Sequence, residues 1–246
     1  MPNYHYDLQQ GSDAWLEARL GIPTASEFDR IITPAKLGYA AGAAGYMAEK
    51  LAEWMAGQPL DIFEDAPPIK GWRERGQLLE PEAVRYYEME RDVETSKVGL
   101  VLTDDGMTGA SPDRLVGDTG ILEQKCPALK THVGYMLEPA SLVAEYRLQV
   151  QGQLWVCQRE WCDMQSYYPG FPSVIIRVQR EEKVQSALAQ HIPAFVATML
   201  ECRAKLLATY GELRRERIGA AKAAEILESR RAAHDEWMDS PVGGVV

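Results

Sequence analysis

Cysteine is scarce in this chain: Cys126, Cys157, Cys162 and Cys202 are the only four in 246 residues. They are too scattered for a disulfide framework, and none forms the paired C-x-x-C knuckle of a structural zinc site, so reduced, packed thiols are expected. Long apolar runs are missing as well. No stretch approaches the roughly 20 residues that cross a bilayer, and the opening MPNYHYDLQQ has neither the basic nor the apolar segment of a signal peptide. A soluble, cytoplasmic protein with no membrane partner is the expectation. Positive charge is in deficit too: 26 Lys and Arg against 36 Asp and Glu leave a net charge of −10. That excludes a protein that coats nucleic acid through a generally basic surface. It does not exclude one that works in a locally basic channel, because the field at a site is set by nearby charges.

What is present is an ordinary globular composition, 46% hydrophobic and 25% charged, on a chain long enough to bury about 70% of its unfolded surface. No internal repeat or linker divides it. GSDAWLEARLG reads as a short helix, capped by Ser12 or Asp13 and stopped at Gly21. TASEFDRII reads as a second helix capped by Thr24 or Ser26, its first N–H groups left as an anion site. Helical spacing returns over 40–57 and ends at Gly57, a loop follows over 58–71, and a helix over 72–90 is expected to break or restart at Pro81. Between Val93 and Cys126 the period becomes strand-like, with three or four antiparallel strands. Helices over 129–137 and 142–158, strands in WCDMQSYYP and SVIIRVQR, and a long helix over 181–209 complete the pattern. The order predicts an α/β layer fold around a central mixed sheet flanked by helices. Residues 1–210 are expected as one domain, and 211–246, poor in large apolar side chains, as an appended helix with a frayed tail.

The informative segment is SPDRLVGDTGILEQKCP, residues 111–127. A hairpin with Gly117, Asp118 and Thr119 as its loop sets Val116 against Gly120, Leu115 against Ile121, and Asp113 against Glu123. Directly opposed side chains stand about 4.5–5.5 Å apart, so two carboxylates are forced together and need a compensating cation, for which a hard divalent metal fits. Side chains alternate along a strand, so Lys125 shares the face of Glu123 while Gln124 points away. Lys125 is then placed to orient a water or steady charge on a phosphate. The competing reading is a turn Asp beside a solvated strand face, and a one-residue slip would set Asp113 against Gln124 instead.

The spacing of SPD and ExKCP, together with AWLEARLGIPTAS (14–26), GQLLE (76–80) and YRLQVQGQLWV (146–156), resembles the lambda-type exonucleases, the YqaJ viral recombinase family of PD-(D/E)xK nucleases. The matching motifs run in order over about 14–156. The resemblance implies a restriction-endonuclease-like core. It implies that Asp113, Glu123, the backbone carbonyl of Gln124 and Glu80 hold metal, two Mg²⁺ ions with Mn²⁺ able to substitute. Lys125 becomes the catalytic lysine, Gln149 the active-site glutamine, and Arg19, Ser26 and Ser111 the pocket for a terminal 5′-phosphate. The implied activity is ATP-independent 5′→3′ degradation of one strand of linear double-stranded DNA to mononucleotides, leaving 3′ single-stranded tails. A ring-shaped homotrimer and a single-strand annealing protein as partner in phage-type recombination are implied with it. The scattered cysteines lack the clustered spacing of iron–sulfur nucleases, so no cluster is expected. His132 and His191 read as structural, and Trp15, Trp54, Trp72 and Trp155 as mostly core. Three other readings remain: a structure- or sequence-specific endonuclease on the same core, a hydrolase of small phosphoesters, and a non-catalytic scaffold that binds DNA ends.

Overall fold

A computed structural model describes residues 1–60 and 70–211, without the side chains of 70–75 and 77. The expectations for the loop over 61–69, the tail beyond 211 and the Trp72 side chain lie outside the described residues. Ser12 caps α1 (Asp13–Ala18), its hydroxyl accepting the Trp15 N–H at 3.3 Å. The TASEFDRII segment is a 3-10 helix (Ala25–Arg30) rather than an α-helix, with Phe28 fully buried beneath it. α2 (Ala43–Ala56) stops at Gly57, whose φ of 69° is the left-handed cap that glycine tolerates. α3 (Lys70–Arg91) runs unbroken through Pro81, against the expected interruption. Pro81 is exposed, so the helical hydrogen bond that it removes is lost on the solvent side, where water can replace it.

The strands divide between two sheets. β2 (Thr95–Ser96), β5 (Arg114–Val116), β6 (Gly120–Lys125), β7 (Trp161–Ser166) and β8 (Val174–Gln179) form a five-stranded sheet in the order β2-β5-β6-β7-β8. It is mixed: β6 and β7 are parallel and the other pairs antiparallel. β1 (Asn3–His5), β3 (Leu100–Leu102) and β4 (Gly109–Ala110) make a separate three-stranded sheet. The single meander expected over 93–126 is therefore split, because β3 takes the N-terminal strand as one partner. β6 is buried at five of its six positions, as a strand with neighbours on both edges and layers on both faces must be. Parallel pairing of β6 with β7 demands a crossover, which α4 (Leu129–Leu137), α5 (Pro139–Glu145) and α6 (Arg147–Cys157) supply.

α6 is the element that closes the core over the site. A Cβ at Gly152 would lie 2.5 Å from the Phe28 ring, so only glycine lets α6 approach the 3-10 helix this closely. Trp155 meets the same ring edge-on, with centroids 6.4 Å apart. α7 (Glu182–Tyr210) covers the far side with Val184, Leu188, Ile192, Phe195 and Met199, all buried. None of the four cysteines is in a disulfide, and burial pushes the Cys157 thiol up to about 12. Among the described residues no helix is long and apolar enough to cross a membrane.

Candidate active site

The β5–β6 hairpin adopts the register read from the sequence, Val116 opposite Gly120, Leu115 opposite Ile121 and Arg114 opposite Leu122. Asp113, the residue just before β5, lies beyond the paired register, close enough to Glu123 to feel its charge. Asp113 Oδ2 accepts the Gln124 N–H at 2.6 Å, tying the carboxylate to β6. In an antiparallel pair a residue's N–H and C=O point to the same neighbour, so the Gln124 carbonyl also leaves β6 on the Asp113 side. The Gln124 side chain turns to the opposite face, where its Nε2 donates to Gln165. Burial, reinforced by the Glu123 charge, raises the Asp113 carboxyl well above its ordinary range, against the pull of Lys125 and the Gln124 N–H.

Glu123 sits just under the cleft floor with 4% of its side chain exposed, and Lys125 beside it with 22%. Lys125 Nζ donates to Glu123 Oε1 at 2.8 Å and to Gln149 Oε1 at 3.2 Å. Gln149 Nε2 returns a hydrogen bond to the same Glu123 oxygen at 2.6 Å, so the amide bridges acid and base. The Tyr146 ring lies 4.3 Å from the Lys125 ammonium. Burial works to neutralise Lys125, but the Glu123 and Asp113 carboxylates outweigh it and hold the lysine above its ordinary value, hence charged.

α6 contributes a residue that the sequence reading did not single out. Gln153, one turn beyond Gln149, donates from Nε2 to Glu123 Oε2 at 2.7 Å. Its signal was the i, i+4 glutamine pair on one helix face. Glu80, on α3, lines the same cleft and its charge acts on the Asp113 carboxyl, while its Oε1 accepts from Arg114 Nη1 at 2.7 Å and the same nitrogen donates to the Asp113 carbonyl. Among the described residues no three His, Cys, Asp or Glu side chains form a ready metal cage. The facing Asp113 and Glu123 carboxylates and the Gln124 carbonyl still suit a hard divalent cation, being all-oxygen donors with buried and only partly neutralised negative charge.

The second cluster adjoins the first. Arg19 Nη1 donates to Ser111 Oγ at 3.3 Å and Nη2 to Thr24 Oγ1 at 3.1 Å, while Thr24 and Ser26 share a hydroxyl contact at 3.3 Å. Arg19, Ser26 and Ser111 are thus brought together, with Thr24 as an unforeseen link. Trp15 is half-buried rather than core: the Arg19 guanidinium stacks 4.0 Å above its ring, and its indole N–H donates to Gly99 O at 2.8 Å and Ser111 Oγ at 3.1 Å. Ser111, Pro112 and Asp113 are consecutive, and Gln10 Nε2 pins the Pro112 carbonyl at 3.0 Å. One cleft of about 2240 Å³ is lined by Arg19, Ser26, Asp113, Gln124, Lys125 and Tyr146. His132 is structural as expected, fully buried between Ser166 Oγ at 2.8 Å and the Pro172 carbonyl at 3.1 Å. The His191 ring packs on Tyr39, with centroids 4.9 Å apart.

A model of the YqaJ-like viral recombinase domain matches residues 14–160. Among solved structures, an alkaline exonuclease (LHK-Exo) from Laribacter hongkongensis superposes with a TM-score of 0.69 and 32% identity, over 82% of this chain and 100% of that one. The same exonuclease in complex with dAMP superposes with a TM-score of 0.69 and 31% identity, over the same 82% and 100%. A phage-related exonuclease from Haemophilus somnus 129PT shares the fold, with a TM-score of 0.59 and 14% identity over 75% of this chain and 96% of that one. No curated protein matches the chain at a significant level.

Proposed function

The chain belongs to the family of YqaJ-like viral recombinase domains, and from that premise we propose that it is a Mg²⁺-dependent, ATP-independent 5′→3′ exonuclease that degrades one strand of linear double-stranded DNA to mononucleotides and leaves a 3′ single-stranded tail. The observation that carries this reading is the adjacency of the two clusters. Ser111, which meets Arg19, stands two residues from Asp113, which the Gln124 N–H ties to β6 beside Glu123. Two residues of extended chain reach at most about 7 Å, a distance on the scale of one nucleotide. A phosphate gripped at Arg19 therefore leaves the next phosphodiester at the carboxylates, which favours release of single nucleotides from a 5′ end. The dAMP-bound relative supports a mononucleotide product.

Mg²⁺ held by Asp113, Glu123 and the Gln124 carbonyl, with Glu80 at the rim, would supply charge neutralisation at the scissile phosphate and a lowered pKa for the attacking water. The rest belongs to the chain's own residues. Asp113 and Glu123 orient the hydrolytic centre from two adjacent strands. Lys125, charged and fixed by Glu123, Gln149 and the Tyr146 ring, presents its ammonium where negative charge grows in the transition state. Arg19, braced by Trp15, Thr24 and Ser111, offers a planar fork to the terminal phosphate, and Ser26 a hydroxyl. A toroidal homotrimer would keep a chain of net charge −10 on its duplex by enclosure rather than by general attraction. A single-strand annealing protein is the partner proposed for the emerging tail.

The test is hydrolysis and end-binding measured side by side. Asp113→Asn and Lys125→Met should each abolish Mg²⁺-dependent nucleotide release while the affinity for a 5′-phosphorylated duplex end stays within a few-fold of wild type. Undiminished hydrolysis in Asp113→Asn would sink the catalytic reading, and a wild-type protein that binds ends without cutting would leave only a scaffold.

A further inference from the structure

Two glutamines on α6 are fully or almost fully buried, and they are used differently. Gln151, 0% exposed, is satisfied at both ends: Nε2 donates to the Gln179 carbonyl, and Oε1 accepts from the Glu181 N–H and from Gln185 Nε2. Gln153, 2% exposed, is satisfied at one end only. Its Nε2 donates to Glu123 Oε2, and its Oε1 is buried without a partner. The amide orientation is chemically forced, since a carboxylate only accepts hydrogen bonds. Its neighbours Val150, Leu154 and Val156 are buried and apolar, so packing alone would favour an apolar side chain that leaves no oxygen stranded.

We propose that Gln153 is a positioning residue that fixes the rotation of the Glu123 carboxylate for metal binding. This inference rests on the reading of Glu123 as a metal ligand. Glu123 Oε1 is already engaged by Gln149 and Lys125, which also bond to each other, and Lys125 lines the cleft. Gln153 alone among these donors holds Oε2, from the core side. With one oxygen gripped by two donors and the other by Gln153, the carboxylate plane cannot turn, and the one acceptor site left, on Oε2, keeps its direction. Release of Oε2 leaves the group free to swing about its last torsion, so a cation would meet a disordered ligand. Partners of this kind behind metal ligands typically change metal affinity 10- to 100-fold.

The experiment measures Mn²⁺ binding to the full-length, DNA-free protein, by the loss of the free-Mn²⁺ paramagnetic resonance signal, together with the thermal midpoint. Gln153→Met keeps the length of the side chain and removes the donor. It should raise the Mn²⁺ Kd by about 10- to 100-fold and leave the midpoint close to wild type, because the stranded oxygen goes with the lost hydrogen bond. Gln151→Met is the structural control and should do the reverse, lowering the midpoint with an unchanged Kd. Glu123→Gln separates the two levels of the argument. If it abolishes binding while Gln153→Met stays within twofold of wild type, the positioning role is overturned and the metal reading stands. If Glu123→Gln also binds normally, the metal reading itself has failed. Should Gln153→Met not fold, the wild-type Gln153 side-chain amide protons decide by NMR. Slow exchange with water and a shift on adding Mg²⁺ support the role, and fast exchange overturns it.

Discussion

Replacing Arg19 with lysine keeps the charge and removes the geometry, which makes it a sharp test of the proposed 5′-phosphate pocket. The arginine engages Ser111 and Thr24 through its two terminal nitrogens and stacks 4.0 Å above Trp15. A lysine has no planar fork and a compact ammonium that stacks poorly. One charge-assisted hydrogen bond to phosphate is worth about 1.5–3 kcal/mol, and an exposed stacking contact about 0.5–1 kcal/mol. The summed loss of about 2–4 kcal/mol corresponds to about 30- to 700-fold at 1.4 kcal/mol per decade. The assay is kcat/KM on two linear duplexes that differ only in a 5′-phosphate or a 5′-hydroxyl. Arg19→Lys should lose that factor on the phosphorylated end and only a few-fold on the hydroxyl end, where the fork has nothing to grip. Equal loss on both ends would refute a phosphate role and leave Arg19 as a brace for Ser111.

Other consequences lie further from the cleft. Tyr87→Phe removes a 2.8 Å hydrogen bond to the fully buried Asp163, which keeps Arg177 as its partner; it should cost about 1.5–3 kcal/mol, seen as a lower denaturation midpoint with unchanged nuclease activity. Leu122→Ala in the central strand, where Leu122 is 0% exposed, should cost about 2–5 kcal/mol by chemical denaturation. Burial holds the His132 imidazole below its ordinary pKa of 6.5, so the unfolded chain takes up a proton there before the folded one does. Stability from this site is intact above that pH and falls as pH drops through it, and His132→Gln should flatten the slope between pH 7 and 5. Light scattering should give three times the monomer mass, and a monomer at micromolar concentration would end the ring proposal.

The parts of this molecule that could be read in its sequence are those set by neighbours along the chain. The β5–β6 register, which leaves Asp113 beside β6, follows from the GDT loop and from strict alternation in ILEQK, both local. Gly57 ends α2 where glycine costs least. What escaped depends on contacts between distant segments. β1 and β2 have three and two residues, too few to show a period, and β3 leaves the expected meander because it pairs with β1. α3 passes through Pro81 because that position faces solvent. Trp15 looked like core among its apolar neighbours, and only the fold supplies the guanidinium that uses its face. Gln153 shows its role only where α6 lies over β6 and its amide meets Glu123. The Glu80–Arg114 pair joins residues on α3 and β5 that no spacing rule connects.

The central claim is a cut made one nucleotide at a time from a phosphorylated 5′ end. It is tested most directly on a linear duplex with a 5′-phosphate on one strand only, each strand labelled at its 3′ end, incubated with Mg²⁺ and no ATP beside a closed circle. The account predicts mononucleotides from the phosphorylated strand, an intact complementary strand and an untouched circle. Cutting of the circle, or equal loss of both strands, would contradict it and point to an endonuclease built on the same core.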